Sequence, residues 1–219
     1  MSLIFVHEMG HFLTSKLLKW KTDKICIYPL GGVTVLNDDI NKSLKEEFLI
    51  LITGPIFQMI FYQILILNNV KDITFFNYFL LIFNLLPVYP LDGGKILNII
   101  LSYIMAYKKS LKITICISFF FYFIELFLFI KIFNSVFLFI SLFFLIFKII
   151  DEKNKIDYYF NKFLLERYLK KYSFKKIKYV NNVLKMQKEK EHFIYKDGKI
   201  LNEKTFLNFY FNDKGYKNN

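Results

Sequence analysis

Cysteine is nearly absent from this 219-residue chain, which has only Cys26 and Cys116. Two cysteines cannot build the disulfide framework of a small secreted scaffold, and that class is excluded. Acidic residues are also few, 18 Asp and Glu against 30 Lys and Arg, for a formal charge of +12. Such a balance raises nucleic acid as a partner. The excess gathers in residues 151–219, which hold 17 basic and nine acidic side chains. No basic stripe or recognition module accompanies it, so nucleic-acid binding is not expected. Histidine and proline are scarce as well, three and four residues respectively, and their positions matter more than their number.

Apolar residues are plentiful. They make up 55% of the chain, aromatics 20%, and the mean hydropathy is +0.34. An ordinary soluble domain is about 45–50% apolar, and here the excess collects in runs of bilayer-crossing length. A soluble enzyme is therefore excluded. Five apolar segments can be read: Ser2–Leu18, Phe48–Leu67, Phe75–Tyr107, Ile113–Ile130 and about Phe133–Phe147. Met1–Val6 has no basic n-region and is not followed by a small-residue cleavage site, so it is not read as a signal peptide.

The third segment is too long for one straight span, since at 1.5 Å per residue it would reach about 50 Å against a hydrocarbon core of about 30 Å. Pro87, Pro90, Gly93 and Gly94 interrupt it. Proline removes a backbone donor and glycine permits unusual dihedrals. The expected shape is a half-helix to Leu86, irregular backbone over Pro87–Leu91, and a new helix from Asp92. Irregular backbone at membrane depth needs a polar or protein-lined cavity, so a cavity is predicted there.

With five spans, the loop Trp20–Glu47, the turn Lys108–Lys112 and the tail share one face. That face carries most of the lysines, including Lys19, Lys21, Lys24, Lys42 and Lys45, whereas the other holds little beyond Lys71 and Lys131. By the positive-inside rule the first loop and the tail are cytoplasmic and the N-terminus lies outside. Lys24–Tyr28 and Val33–Leu36 alternate around Pro29-Leu30-Gly31-Gly32 and read as a small β-hairpin against the membrane. The fold class is thus an all-α polytopic membrane protein of about five spans, with a membrane-associated hairpin. Residues 1–150 form the membrane domain and residues 151–219 a basic, cytosolic α/β tail.

Two of the three histidines fall within five residues. His7-Glu8-Met9-Gly10-His11 fits H-E-x-x-H. On a helix, i and i+4 share a face, so His7 and His11 can grip one metal, and Glu8 stands where it can take a proton from water activated by that metal. The competing reading is two incidental histidines beside a buried glutamate, but three ionisable groups inside a span are costly without a partner or a task. A catalytic zinc takes three protein ligands and leaves one position open. His192 can be considered as the third, but it lies in the tail. Asp92, the carboxylate of the broken segment, is favoured over a role as a helix cap. Counted from Lys19 and Lys108, His11 and Asp92 sit roughly 12 Å and 24 Å from one face, so tilt must close the gap. Lys95, one turn after Asp92, faces substrate or cavity. Glu125 is placed near a helix end, reaching the interface or Lys131.

HEMGH, ITGP at 52–55 and NLLPVYPLDGG at 84–94 together resemble the three signatures of the site-2 protease family of intramembrane zinc metalloproteases. The last fits that family's N-x-x-P-x-x-x-x-D-G pattern. LGGV at 30–33, LKEEF at 44–48 and FLLERY at 163–168 resemble the sporulation branch, which cleaves an inactive sigma-factor precursor at a membrane. The resemblance implies one zinc ion on His7, His11 and Asp92, with Glu8 as catalytic base and Asn84 positioning substrate backbone. Gly54-Pro55 is expected to allow close helix packing. The implied partners are a membrane-associated protein substrate, membrane-bound inhibitory proteins and the bilayer itself. The implied location is the bacterial cell membrane, and in a sporulating cell the membrane around the forespore.

Two features depart from the branch. Its members usually carry six spans, with one before H-E-x-x-H, where this chain has six residues. A shortened start would account for that and would return the N-terminus to the cytoplasm. The branch's tail usually holds a nucleotide-sensing CBS module. Residues 169–219, with HFIYKDGKIL at 192–201, resemble a shortened and degraded one, which argues against ATP binding. Competing classes are a catalytically inactive scaffold of the same fold, a transporter, and a protease acting on a different membrane-tethered regulator.

Overall fold

The computed structural model describes residues 2–28, 31–36, 39–68, 73–132, 136–196 and 198–215. Side chains of the hairpin and of residues 128–139 are outside that description. Pro29, Leu30, Lys71, Asp197 and the Lys131 side chain therefore fall outside the described residues.

Helix α1, Ser2–Leu17, buries Ile4, His7, Glu8, His11, Thr14 and Ser15, a three-and-four spacing that defines one helical face. Strands β1 (Thr22–Tyr28) and β2 (Gly31–Leu36) pair antiparallel and pack beside α1. Helix α2 runs Leu44–Leu67 and α3 runs Thr74–Leu85. The chain then turns through 86–91 and resumes as α4, Asp92–Ile104. The break expected over Pro87–Leu91 is therefore present, with α3 ending at Leu85, one residue earlier than expected. Helices α5 (Tyr107–Ile132) and α6 (Val136–Asn154) follow.

Among the described residues, two stretches are long and apolar enough to cross a membrane, Leu44–Leu67 and Tyr107–Phe127, and α3 is a shorter apolar helix. Their outer faces carry Ile60, Ile64, Phe75, Ile82, Phe120, Phe123 and Phe127, each at least half exposed. So many large apolar side chains facing outward form a patch that water would disfavour, and the surface is that of a membrane protein.

Beyond the bundle lie α7 (Ile156–Leu169), the strands β3 (Lys176–Val180), β4 (Lys190–Lys196) and β5 (Lys199–Asn202), and α8 (Glu203–Gly215). The sheet order is β3-β4-β5, the first pair parallel and the second antiparallel. This tail packs into the same apolar core as α5 and α6, through Phe160, Phe163, Leu164, Ile194 and Leu207. Its contacts with the bundle are specific. Tyr107 N donates to Met186 O (2.9 Å), Gln187 Nε2 to Ile104 O (3.0 Å), and Leu44 N to the Glu189 carboxylate (2.8 Å). Glu189 thereby caps α2, whose own Ser43 makes no side-chain cap.

His192 is buried within the tail, far from H-E-x-x-H in sequence and held by other partners. Its Nε2 accepts from Gln187 N at 3.0 Å, and its Nδ1–H faces Glu203 Oε2 at 3.1 Å. That arrangement suits the neutral ring, and burial holds its pKa below the ordinary 6.5. Burial alone would raise Glu203, but the His192 hydrogen bond and the Arg167 charge more than offset this and hold it below 4.5. Both groups bind protons at higher pH when unfolded, so tail stability rises with pH. Their contribution is complete above about pH 6.5 and declines as pH falls through the lower folded values. Hydrogen exchange over β4, corrected for intrinsic rates, is expected to speed up between pH 7.5 and pH 5. Equal protection at both pH values would refute this.

Candidate metal centre

Three helices supply the centre. Helices α1 and α2 cross at glycine: a Cβ on Gly10 would lie 2.6 Å from Thr53 O, and one on Gly54 would lie 2.3 Å from His11 Nε2. Any side chain at 54 would occupy the space of the imidazole, so Gly54 does what the sequence expects of ITGP, close packing. Helix α4 is placed by the turn before it. Tyr89 N donates to Ser118 Oγ of α5 (2.8 Å), Leu91 N to Val88 O (2.8 Å), and Val88 is fully buried. A Cβ on Gly93 or Gly94 would meet the backbone of residues 85–89 at 2.2–2.6 Å. The glycine pair therefore lets the turn fold back onto the first turn of α4, which aims Asp92 at α1.

The result is a triangle of donor atoms. His7 Nε2 is 3.0 Å from Asp92 Oδ2, His11 Nε2 is 3.1 Å from the same oxygen, and the two nitrogens are 3.2 Å apart. Asp92 is the first residue of α4; Leu91 holds the cap position, with no side-chain capping bond. The carboxylate is directed to the histidines. His7, Glu8, His11 and Asp92 are all buried. The donor atoms of His7, Glu8 and His11 lie within 4.8 Å of one another.

Hydrogen bonds on the far side of each ring fix the tautomers. His11 Nδ1 meets Ile50 O at 2.7 Å, and a carbonyl only accepts, so Nδ1 carries the proton. His7 Nδ1 meets Gln58 Oε1 at 2.9 Å. Gln58 Nε2 donates to Asn77 O and Asn77 Oδ1, both at 3.0 Å, so the amide oxygen faces His7 and His7 Nδ1 is the donor. With Nδ1 protonated, a neutral ring at either position turns a bare Nε2 to the Asp92 oxygen. Three acceptors then converge, an arrangement that a cation satisfies. Three ligands 2.0–2.1 Å from one tetrahedral ion stand roughly 3.4 Å apart, within a few tenths of an ångström of this triangle. The residues fit a zinc ion.

Lys95 Nζ lies 3.9 Å from Asp92 Oδ1, facing the centre rather than leaving it. Asn84, at the end of α3, is half-buried, and its side chain has no hydrogen-bond partner among the described residues. Both oxygens of Glu125 are buried without a partner among the described residues. Sequence reading missed Gln58, Asn77 and Ser118. A single amide or hydroxyl in an apolar run gives no pattern, although Gln58 and Asn77 are polar residues within apolar helices, which is a signal in itself.

The family model described as peptidase family M50 matches residues 1–70 and 62–128. Two curated relatives align with the chain. Stage IV sporulation protein FB of Bacillus subtilis is 33% identical over 110 residues, 46% of this chain and 38% of its own length. A zinc metalloprotease of Methanocaldococcus jannaschii is 37% identical over 111 residues, 45% of this chain and 32% of its own length. The matched stretch spans about a third of each relative. Among solved structures, the site-2 protease from M. jannaschii superposes with a TM-score of 0.57 at 32% identity, covering 69% of this chain and 74% of that one.

Proposed function

The chain belongs to peptidase family M50, and from that premise we propose that it is an intramembrane zinc metalloprotease. Its substrate is a membrane-associated regulatory protein, in the first instance a sporulation sigma-factor precursor. The observation that carries this reading is the convergence of His7, His11 and Asp92 beside Glu8 in a buried site. The likeness to a stage IV sporulation protein supports the choice of substrate.

His7 Nε2, His11 Nε2 and one Asp92 oxygen would hold the zinc. Bound there, zinc supplies a Lewis acid that polarises a carbonyl and acidifies water. Glu8 takes the proton of the attacking water as the new C–O bond forms, then delivers it to the amide nitrogen, whose protonation lets the peptide C–N bond break. Asn84 offers its free amide to the backbone of a locally extended substrate, and burial of the cluster limits bulk water. The architecture matching this role has five crossings, with the basic tail in the cytoplasm, in the membrane around the forespore during sporulation. Residues 169–219 act as a reduced CBS-like module.

Co-expression tests the reading. The chain is paired with a membrane-associated sigma-factor precursor and, in parallel, with another membrane-tethered regulator. Zinc-dependent cleavage of the first alone is expected. Cleavage of only the second would replace the substrate. Cleavage of neither, by a chain shown to hold zinc, would favour an inactive scaffold.

A further inference from the structure

Both histidines need a proton acceptor at Nδ1, and the two acceptors differ in kind. Ile50 O is backbone, so no substitution removes it. Gln58 Oε1 is one end of a side-chain amide whose other end would serve His7 equally well in shape. If the amide turned over, its NH2 group would face Nδ1, the His7 proton would move to Nε2, and that proton would point into the triangle. What prevents this lies on α3: Asn77 offers its backbone oxygen and Oδ1 to Gln58 Nε2, each at 3.0 Å, and so takes both amide protons. Gln58 and Asn77 are fully buried and His7 is 1% exposed, so water cannot stand in for either partner.

We propose that Gln58 and Asn77 are positioning residues that lock His7 as the Nδ1–H tautomer and thereby set the metal affinity of the centre. The inference rests on the metalloprotease reading above. It also ties α3, which carries Asn84, to a metal ligand on α1 through one residue of α2. Partners of this kind behind a metal-bound histidine orient the ring and raise its basicity, and their loss weakens metal binding about 10–100-fold.

The test uses the full chain in detergent micelles, with zinc alone as the probe. Affinity is read by competition with a chromophoric chelator, and the His7 tautomer by nitrogen-15 spectra of the metal-free protein, whose three histidines can be assigned by single substitutions. The wild type is expected to show Nδ1–H at His7. Gln58→Leu is expected to bind zinc about 10–100-fold more weakly, whereas Gln58→Glu, which keeps an acceptor toward His7 but turns an oxygen to the two Asn77 oxygens, loses less than Gln58→Leu. Equal affinity in wild type and a folded Gln58→Leu, or equal loss in Leu and Glu variants, would overturn the proposal. Should Gln58→Leu fail to fold, a wild-type spectrum with the proton on Nε2 overturns it without any variant. Absence of zinc binding by the wild type would strike at the metal reading instead, while the tautomer remains readable.

Discussion

Replacing Glu8 by glutamine is expected to lower the rate of substrate cleavage by about 10²–10⁴-fold, the usual contribution of a general base, while zinc remains bound. Glutamine has nearly the shape of glutamate, so the buried face of α1 and the His7–His11 spacing should persist. The triangle of His7, His11 and Asp92 does not include the Glu8 carboxylate, so the ligand set is unchanged. What disappears is the carboxylate that the proposed mechanism uses to accept a proton from water and hand it on. Measuring zinc per chain alongside cleavage separates this loss from loss of the metal. A Glu8→Gln chain with zinc bound and cleavage within tenfold of wild type would remove Glu8 from the base role. His7→Ala is the contrasting case, expected to lose zinc and activity together.

The cluster of His7, Glu8, His11 and Asp92 was legible because its chemistry is out of place. Two histidines and a glutamate in an apolar helix, and a carboxylate after a proline-broken segment, are each costly in a membrane. Element type was legible for the same reason, since apolar length sets it. Helix ends were not. α2 starts at Leu44 rather than Phe48 and α5 at Tyr107 rather than Ile113, because charged first turns such as Lys45-Glu46-Glu47 extend a helix without extending its apolar run. The support around the site was also hidden. Gln58 and Asn77 are 19 residues apart, and Ser118 reaches Tyr89 across 29; such pairings exist only once the helices are packed. The tail gave least away. Its composition marks only a basic, polar tail, and nothing in the sequence singles out Arg167, Lys188, Glu166 and His192 as the buried members.

Arg167 is where that burial has the largest consequence. Its guanidinium lies between the rings of Phe163 (4.7 Å) and Phe174 (4.5 Å). It donates to Asn41 Oδ1 (2.6 Å), to Lys190 O (2.8 Å), to Gln187 O (3.1 Å) and to both Glu203 oxygens (3.0 and 3.1 Å). One side chain therefore joins the loop before α2, helix α7, the 187–190 segment and α8. Arg167→Leu keeps some of the packing but leaves two carbonyls and Asn41 Oδ1 without that donor, and it removes the counter-charge of Glu203, which keeps the two His192 hydrogen bonds. Breaking a buried pair by removing one partner costs about 3–5 kcal/mol, a large share of the stability of an ordinary domain. The 187–190 segment should loosen first, and with it the Gln187–Ile104 bond, the Glu189 cap on α2 and the Lys188–Glu47 pair at 2.8 Å. Trypsin is then expected to cut within residues 185–190 much faster in the variant, with amide protection falling at Leu44 and Tyr107 but not deep in α1. Since α2 carries both Gln58 and the carbonyl that holds His11, any loss of zinc affinity in Arg167→Leu should follow that fraying and be smaller than the loss in Gln58→Leu. An unchanged tryptic half-life would mean that the apolar core shared by α5, α6 and the tail docks the tail without its arginine.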